Sequence, residues 1–213
     1  MQAKSILNTR KGITLIELMV ALVICGIVIG ALYRLFITQT RAYTVQDQVA
    51  EIQQSIRSAM EILVRDLRMT GCETAAVPIV PPVTSNSITV NYQASQVTYS
   101  LVGVAPNVNL QRQLTLGGVV TAEVILPNVN SFILTYGIDA DGIGAVGYNI
   151  VDDQNGNGVV DTGDYVAAGA VGANRIIGIR VQLSGNPSPN NPDALAQVSP
   201  RTLDSTVSLR NLL

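Results

Sequence analysis

The sequence predicts an α+β protein in which one long N-terminal helix packs on an antiparallel β-sheet head. An apolar run extends from Ile13 to Ile37, and the helical spacing of apolar residues continues through polar sequence to about Met69. After Gly71 the composition becomes rich in Val, Thr, Asn, Gly and Pro, which is typical of strands and turns. The expected parts are a leader at 1–12, a helix at 13–70 and a β-rich head at 71–213.

Residues 1–12 and the apolar run together predict a membrane anchor. Lys4, Arg10 and Lys11 are basic and the segment has no acidic residue, so it should stay on the cytoplasmic side. Residues 13–37 are enough to cross a bilayer of about 30 Å as a helix. Because no small-residue cleavage site follows the run, as it would in a secretory signal, we expect a single-pass anchor with the head outside.

Glu17 lies inside the apolar run, and a plain anchor does not explain it. A buried ionised carboxylate is costly unless a partner neutralises it. The surrounding residues, Lys11-Gly12 followed by Ile13-Thr14-Leu15-Ile16-Glu17-Leu18, resemble the class III signal of type IV pilins and type II secretion pseudopilins. The resemblance implies a type IV pilin-like fold and an inner-membrane location, followed by incorporation into a filament.

The same resemblance assigns a role to three residues. A prepilin peptidase would cut after Gly12 and methylate the new amine of Ile13. Glu17 would then be the fifth residue of the mature chain. In a filament, the amine of one subunit can pair with the Glu17 carboxylate of a neighbour, and this pairing offsets the desolvation of both charges. We therefore expect Glu17 to govern assembly.

Residues 38–70 are predicted to continue the helix in amphipathic form. Polar residues fill the other faces, and Gly71 is the expected stop. The apolar stripe consists of Val49, Ile52, Ile56, Met60, Leu63 and Leu67.

The end of this helix sharpens the resemblance. Its sequence from Arg65 to Cys72, RDLRMTGC, is similar to a stretch in the PilW family of minor pilins, and J-class pseudopilins of type II secretion share the same anchor and a large head. The resemblance implies a minor pilin that joins other pilins to initiate or cap a pilus. A pseudopilin and a calcium-dependent tip adhesin remain alternatives. We expect Arg65, Asp66 and Arg68 to form a solvated helix face with an ion pair.

Seven strands are predicted in the head from runs rich in β-branched and aromatic residues. Gly117-Gly118 should form a hairpin turn between two of them. The predicted strands are Ser87–Tyr92, Val97–Val102, Gln111–Leu116, Val119–Leu126, Phe132–Tyr136, Ile176–Leu183 and Thr202–Leu209.

The stretch DDQNGNGVVDTGD, which ends at Asp164, predicts a calcium loop. Oxygen-bearing residues occupy positions 1, 3, 5, 9 and 12, and Gly158 at position 6 permits a sharp turn. The pattern resembles dockerin-type loops, although position 12 is Asp rather than Glu. We expect Val160 to anchor the loop to the core, and Asp139 and Asp141 resemble a fragment of a second loop. The predicted Ca²⁺ ligands are Asp153, Asn155, Asn157, the carbonyl of Val159, Asp161 and Asp164.

Composition argues against several classes of function. The chain has no His, which excludes a histidine general base and imidazole zinc sites. A G-x-S-x-G elbow and a phosphate loop are also missing, so we do not expect an enzyme. No Lys or Arg occurs between Arg112 and Arg175, where six Asp residues lie between Asp139 and Asp164. Such a surface does not favour nucleic acid. The expected partners are other pilins, the prepilin peptidase and the inner membrane.

Overall fold

The computed structural model describes residues 12–74, 76–139, 151–189 and 196–209. The chain forms two compact units, 1–44 and 45–213, and we describe each by itself. We call the second the globular unit. Helix α1, Leu15–Met69, contributes residues to both. The predicted fold class, one long helix with antiparallel sheets, is confirmed.

In the first unit, every described residue from Gly12 to Phe36 is exposed. The helix is long and apolar enough in this part to cross a membrane. It begins after Thr14, whose hydroxyl oxygen accepts a hydrogen bond from the Glu17 backbone N–H at 3.3 Å. Thr14 therefore acts as an N-cap and satisfies one of the N–H groups that a helix leaves unpaired at its start.

The described residues of the globular unit form nine strands in two antiparallel sheets. One sheet has the strand order β1-β2-β3-β4-β5 and the other has the order β7-β6-β8-β9. The strands are β1 Ile79–Val80, β2 Ser87–Tyr92, β3 Ser95–Val104, β4 Asn107–Leu116, β5 Val119–Leu126, β6 Val129–Asp139, β7 Val166–Ala167, β8 Arg175–Gly185 and β9 Arg201–Ser208.

The core of the globular unit lies between α1 and both sheets. The predicted stripe is confirmed: Val49 is half-buried against the core, and the other five residues are buried. The sheets contribute alternate residues, because successive side chains of a strand point to opposite faces. In the first sheet, for example, Ile88 lies opposite Tyr99 and Val90 opposite Val97, and all four are buried.

The end of α1 is fixed to the first sheet by backbone hydrogen bonds. Gly71 adopts a left-handed conformation with φ +81°, as a helix-terminating residue commonly does. Its N–H donates to the Asn91 carbonyl at 2.9 Å, and the Gln93 N–H donates to the Cys72 carbonyl at 2.6 Å. The predicted stop at Gly71 is thus confirmed, and it also sets where β2 ends.

The sequence located seven strands correctly but missed two short ones, β1 and β7. Each has only two residues, too few to show an alternating pattern. The strands also form two sheets where we expected one. Gly117 and Gly118 have φ values of +57° and +81° and join β4 to β5, which confirms the predicted hairpin turn.

All buried residues of the described chain lie in the globular unit, so this unit should fold without residues 1–44. We expect Leu63→Ala to destabilise it by about 2–5 kcal/mol, because Leu63 is fully buried and its truncation leaves a cavity. Leu116→Ala, at an exposed leucine, should cost less than about 0.5 kcal/mol. Urea unfolding of residues 45–213 measures both, and equal losses would contradict this description of the core.

Candidate functional site

The N-terminal residues that the sequence singled out are accessible in the isolated chain. Gly12 and Glu17 are exposed, and 76% of the Ile13 surface is accessible. In the described residues other than the chain neighbours of Gly12, no atom lies within 4 Å of the point where a Cβ on Gly12 would stand. Glu17 is the acidic residue of the first turn of α1, where the positive end of the helix dipole favours a carboxylate. The segment is therefore open to an enzyme and to a neighbouring helix.

The acidic loop of the globular unit is a closed network of hydrogen bonds. Asp153 accepts hydrogen bonds from the backbone N–H groups of Gly156, Asn157 and Gly158 at 2.6–3.2 Å. Gly158 has φ +83°, so the sharp turn predicted at this position is present. The Nδ2 of Asn157 also donates to Oδ2 of Asp161 at 3.2 Å, which links the two halves of the loop.

Asp164 closes the loop and is fully buried. Its carboxylate accepts backbone hydrogen bonds from Asp161 at 2.7 Å, Gln154 at 2.9 Å and Asn155 at 3.2 Å. These bonds hold the pKa of Asp164 below its ordinary value, and the bond from Asp161 has the largest effect. A side-chain hydrogen bond with Asp153 lowers this pKa further. Asp164 therefore stays ionised.

The loop is attached to the second sheet at its two ends, and Val160 plays no part in this. Val160 is 46% exposed, so the predicted anchor is wrong. Instead, Val151 and Tyr165 lie over Gly137 and Gly178, which face each other in β6 and β8. A Cβ on Gly137 would stand 2.6 Å from Val151, so glycine is required there. The signal for this close approach was Gly178 inside one predicted strand and Gly137 directly after another.

The structure places the six predicted calcium ligands in one loop. In the described residues, no three His, Cys, Asp or Glu side chains form a group that could hold a metal. The fragment at Asp139 and Asp141 extends into 140–150, outside the described residues. The donors are carboxylates, amide oxygens and one carbonyl, which are the ligand types that Ca²⁺ prefers. The chemistry of the donor set therefore fits calcium.

Comparison with protein families settles the class of the N-terminal segment. Residues 7–33 match the family model described as the prokaryotic N-terminal methylation motif. The chain carries a prepilin-type signal. Such a signal supports a type IV pilin or pseudopilin, which is a structural protein. It implies processing by a prepilin peptidase, and the apolar helix fits membrane anchoring. No curated protein matches the chain.

The end of α1 holds a buried ion pair in place of the solvated face that we predicted. Asp66 is only 1% exposed. Its Oδ2 accepts hydrogen bonds from the Tyr99 hydroxyl and from Nε of Arg112, both at 2.7 Å. The Arg112 guanidinium also lies 3.3 Å from Glu123 on β5. Arg65 remains exposed, with its Nε 3.7 Å from Oδ1 of Asp66.

The electrostatics of this cluster favour its charged form. Burial alone would lower the pKa of Arg112, but the hydrogen bond and charge of Asp66 raise it above its ordinary value. The pKa of Tyr99 is also raised, by burial first and then by Asp66, so the phenol keeps its proton and donates it. The signal for this cluster was the position of Asp66, three residues after the stripe residue Leu63 and beside Leu67.

We expect Asp66→Ala to destabilise the globular unit by about 3–5 kcal/mol, because the mutation leaves Arg112 partly buried without its counter-charge. Tyr99→Phe should cost about 1–3 kcal/mol, since it removes one hydrogen bond to a buried carboxylate. Arg65→Ala is the control and should cost less than about 1 kcal/mol. If Asp66→Ala and Arg65→Ala were equally mild in urea unfolding, the cluster would not stabilise the fold.

The lowered pKa of Asp164 predicts a dependence of stability on pH. A depressed carboxyl pKa stabilises the folded state above the unfolded value of 3.8, and this contribution is lost as the pH falls below 3.8. The difference in unfolding free energy between wild type and Asp164→Asn should therefore be larger at about pH 7 than at about pH 3. Urea unfolding in the presence of EDTA measures this difference at both pH values. Asp47→Asn, at an exposed aspartate, is the control. If the difference did not change with pH, the conclusion that the pKa of Asp164 is lowered in the folded state would be refuted.

Proposed function

We propose that this protein is a minor pilin of the PilW type that helps to initiate or cap a type IV pilus. The observation that carries the proposal is the prepilin-type signal at 7–33, together with the first part of α1, whose residues up to Phe36 are all exposed in the isolated chain. Such a surface requires a membrane or a bundle of similar helices around it. The buried position of Asp66 adds support, because it gives the DLRMTG stretch of the PilW resemblance a structural role.

Assembly would depend on the charge of Glu17. After cleavage behind Gly12, the amine of Ile13 becomes the cationic end of the chain. In the apolar interior of a filament, the Glu17 carboxylate of one subunit would pair with the amine of its neighbour. A buried pair of this kind is better suited to fix the register between helices than to add stability. The globular unit would then dock to neighbouring heads.

We expect a clean deletion to abolish or strongly reduce the filaments sheared from cells, while type II protein secretion continues. Loss of secretion with intact filaments would instead support the J-class pseudopilin. Normal filaments with loss of calcium-dependent attachment would support the tip adhesin.

Complementation of the deletion tests the role of Glu17 directly. We expect Glu17→Ala to leave the protein in the membrane but to reduce filament yield as severely as the deletion does. Glu51→Ala is the matched control, because Glu51 is an exposed glutamate on the same helix. Quantitative immunoblots of sheared and membrane fractions give both values. Wild-type filament yield from Glu17→Ala would contradict the pairing mechanism.

We further propose that the acidic loop binds one Ca²⁺ ion that stabilises the globular unit. Asp153, Asn155, Asn157, Asp161 and Asp164 would supply side-chain oxygens and Val159 its carbonyl. The support comes from the spacing of these residues, from the turn at Gly158 and from the neighbouring carboxylates of Asp153 and Asp164. Bound calcium would neutralise these carboxylates and hold the loop against the second sheet.

Calcium should raise the unfolding temperature of residues 45–213, whereas magnesium at the same concentration should not, because Mg²⁺ demands a smaller octahedral site. The stabilisation follows from preferential binding to the folded state and should saturate with concentration. The double variant Asp153→Ala/Asp161→Ala should lose it, and Asp47→Ala, outside the loop, should keep it. Equal responses of the two variants would rule out binding at this loop.

A further inference from the structure

Strand β5 is the one long sheet edge in the described part of the chain that carries almost no charge. It ends the five-stranded sheet and pairs with β4 alone. The edge strands β1 and β7 have two residues each, and β9 carries Arg201 and Asp204. Proteins usually protect an edge by shortening it or by placing charges on it, because its unpaired N–H and C=O groups can accept another strand.

The side chains of β5 are exposed over most of its length. Val119, Val120 and Val124 are 65%, 55% and 50% accessible. Glu123 is the single ionisable residue of the strand, and Arg112 of β4 already pairs with it. The edge therefore presents apolar side chains and a single carboxylate, that of Glu123, which shares Arg112 with Asp66.

The register with β4 assigns the two faces of β5. Glu123 lies opposite Arg112, whose side chain contacts Asp66 on α1, so Glu123 is on the side of the helix. Because side chains alternate, Val120, Ala122 and Val124 form the outer face. A register shift between Leu110 and Gln111 interrupts the ladder after Val124. The regular edge is thus Val119 to Val124.

We propose that β5 pairs with β5 of a second copy of this chain, antiparallel and about a two-fold axis at Ala122. In this register Val120 lies opposite Val124 of the second copy, and Ala122 lies opposite its own equivalent. Thr121 lies opposite Glu123 of the second copy, so a neutral side chain faces each carboxylate. Apolar side chains therefore meet on the outer face, and no like charges oppose each other on the inner face.

The neighbouring symmetric registers are worse. Centring the pair on Glu123 places two carboxylates directly opposite each other, which is unfavourable. Centring it on Thr121 leaves Val124 without a partner in the regular part of the edge. The pairing joins the two five-stranded sheets into one ten-stranded sheet and covers both edges.

The proposed pairing uses residues of the globular unit alone and is independent of the proposed role in a pilus.

Sedimentation of residues 45–213 tests the association. We expect a reversible monomer–dimer equilibrium. Val120→Lys should weaken it by at least about tenfold, because the two-fold axis introduces two lysines opposite valines. Val104→Lys is the control, since Val104 is exposed at the far end of β3, and it should dimerise as the wild type does. A protein that stays monomeric at all concentrations, or equal dimerisation of both variants, would overturn the proposal.

Cysteine cross-linking tests the register. In a Cys72→Ala background, which removes the native thiol of the globular unit, Ala122→Cys should form a disulfide dimer under mild oxidation. Val120→Cys alone should not cross-link, but it should do so when mixed with Val124→Cys. Cross-linking of Val104→Cys as fast as Ala122→Cys would indicate random collision and contradict the pairing. Capture of a different pilin by Ala122→Cys in cells, with no homodimer, would assign the edge to that partner instead.

Discussion

The packing of the second half of α1 across both sheets is the interaction on which the globular unit depends. A Cβ on Gly185 of β8 would lie 3.3 Å from Ile56, so the helix and the second sheet are in close contact there. Further along the helix, Asp66 bonds to Tyr99 of β3 and Arg112 of β4 in the first sheet. One helix thus supplies a common surface for two sheets, and its burial stabilises the unit.

The first half of the same helix differs from the second half in its exposure. It has no buried side in the isolated chain and carries one acidic residue, Glu17, among apolar neighbours. Its surface is therefore complementary to lipid or to other helices of the same kind, where a carboxylate needs a cationic partner. This difference between the halves explains how one secondary-structure element can combine an apolar segment that fits membrane anchoring with the core of a globular unit.

Much of this structure could be predicted because the signals are local. Runs rich in β-branched and aromatic residues located the long strands, and helical spacing located the stripe. Glycine located the helix end and one hairpin. Helical spacing places Asp66 beside the stripe residues, but its partners could not be found this way, since Tyr99 and Arg112 are 33 and 46 residues from Asp66 along the chain. A charged residue near a helix end is normally solvated, and only tertiary pairing reveals the exception. Local sequence signals likewise did not predict the division into two sheets or the attachment of the acidic loop through Val151 and Tyr165.

The proposed role in a pilus depends on processing of the chain as a pilin, and the N-terminus of the protein extracted from native membranes tests this processing most directly. Mass spectrometry should find a mature chain that lacks residues 1–12 and begins with N-methylated Ile13, whereas a strain without prepilin peptidase should retain the leader. A chain from native membranes that keeps residues 1–12, or that begins at another position, would contradict the account.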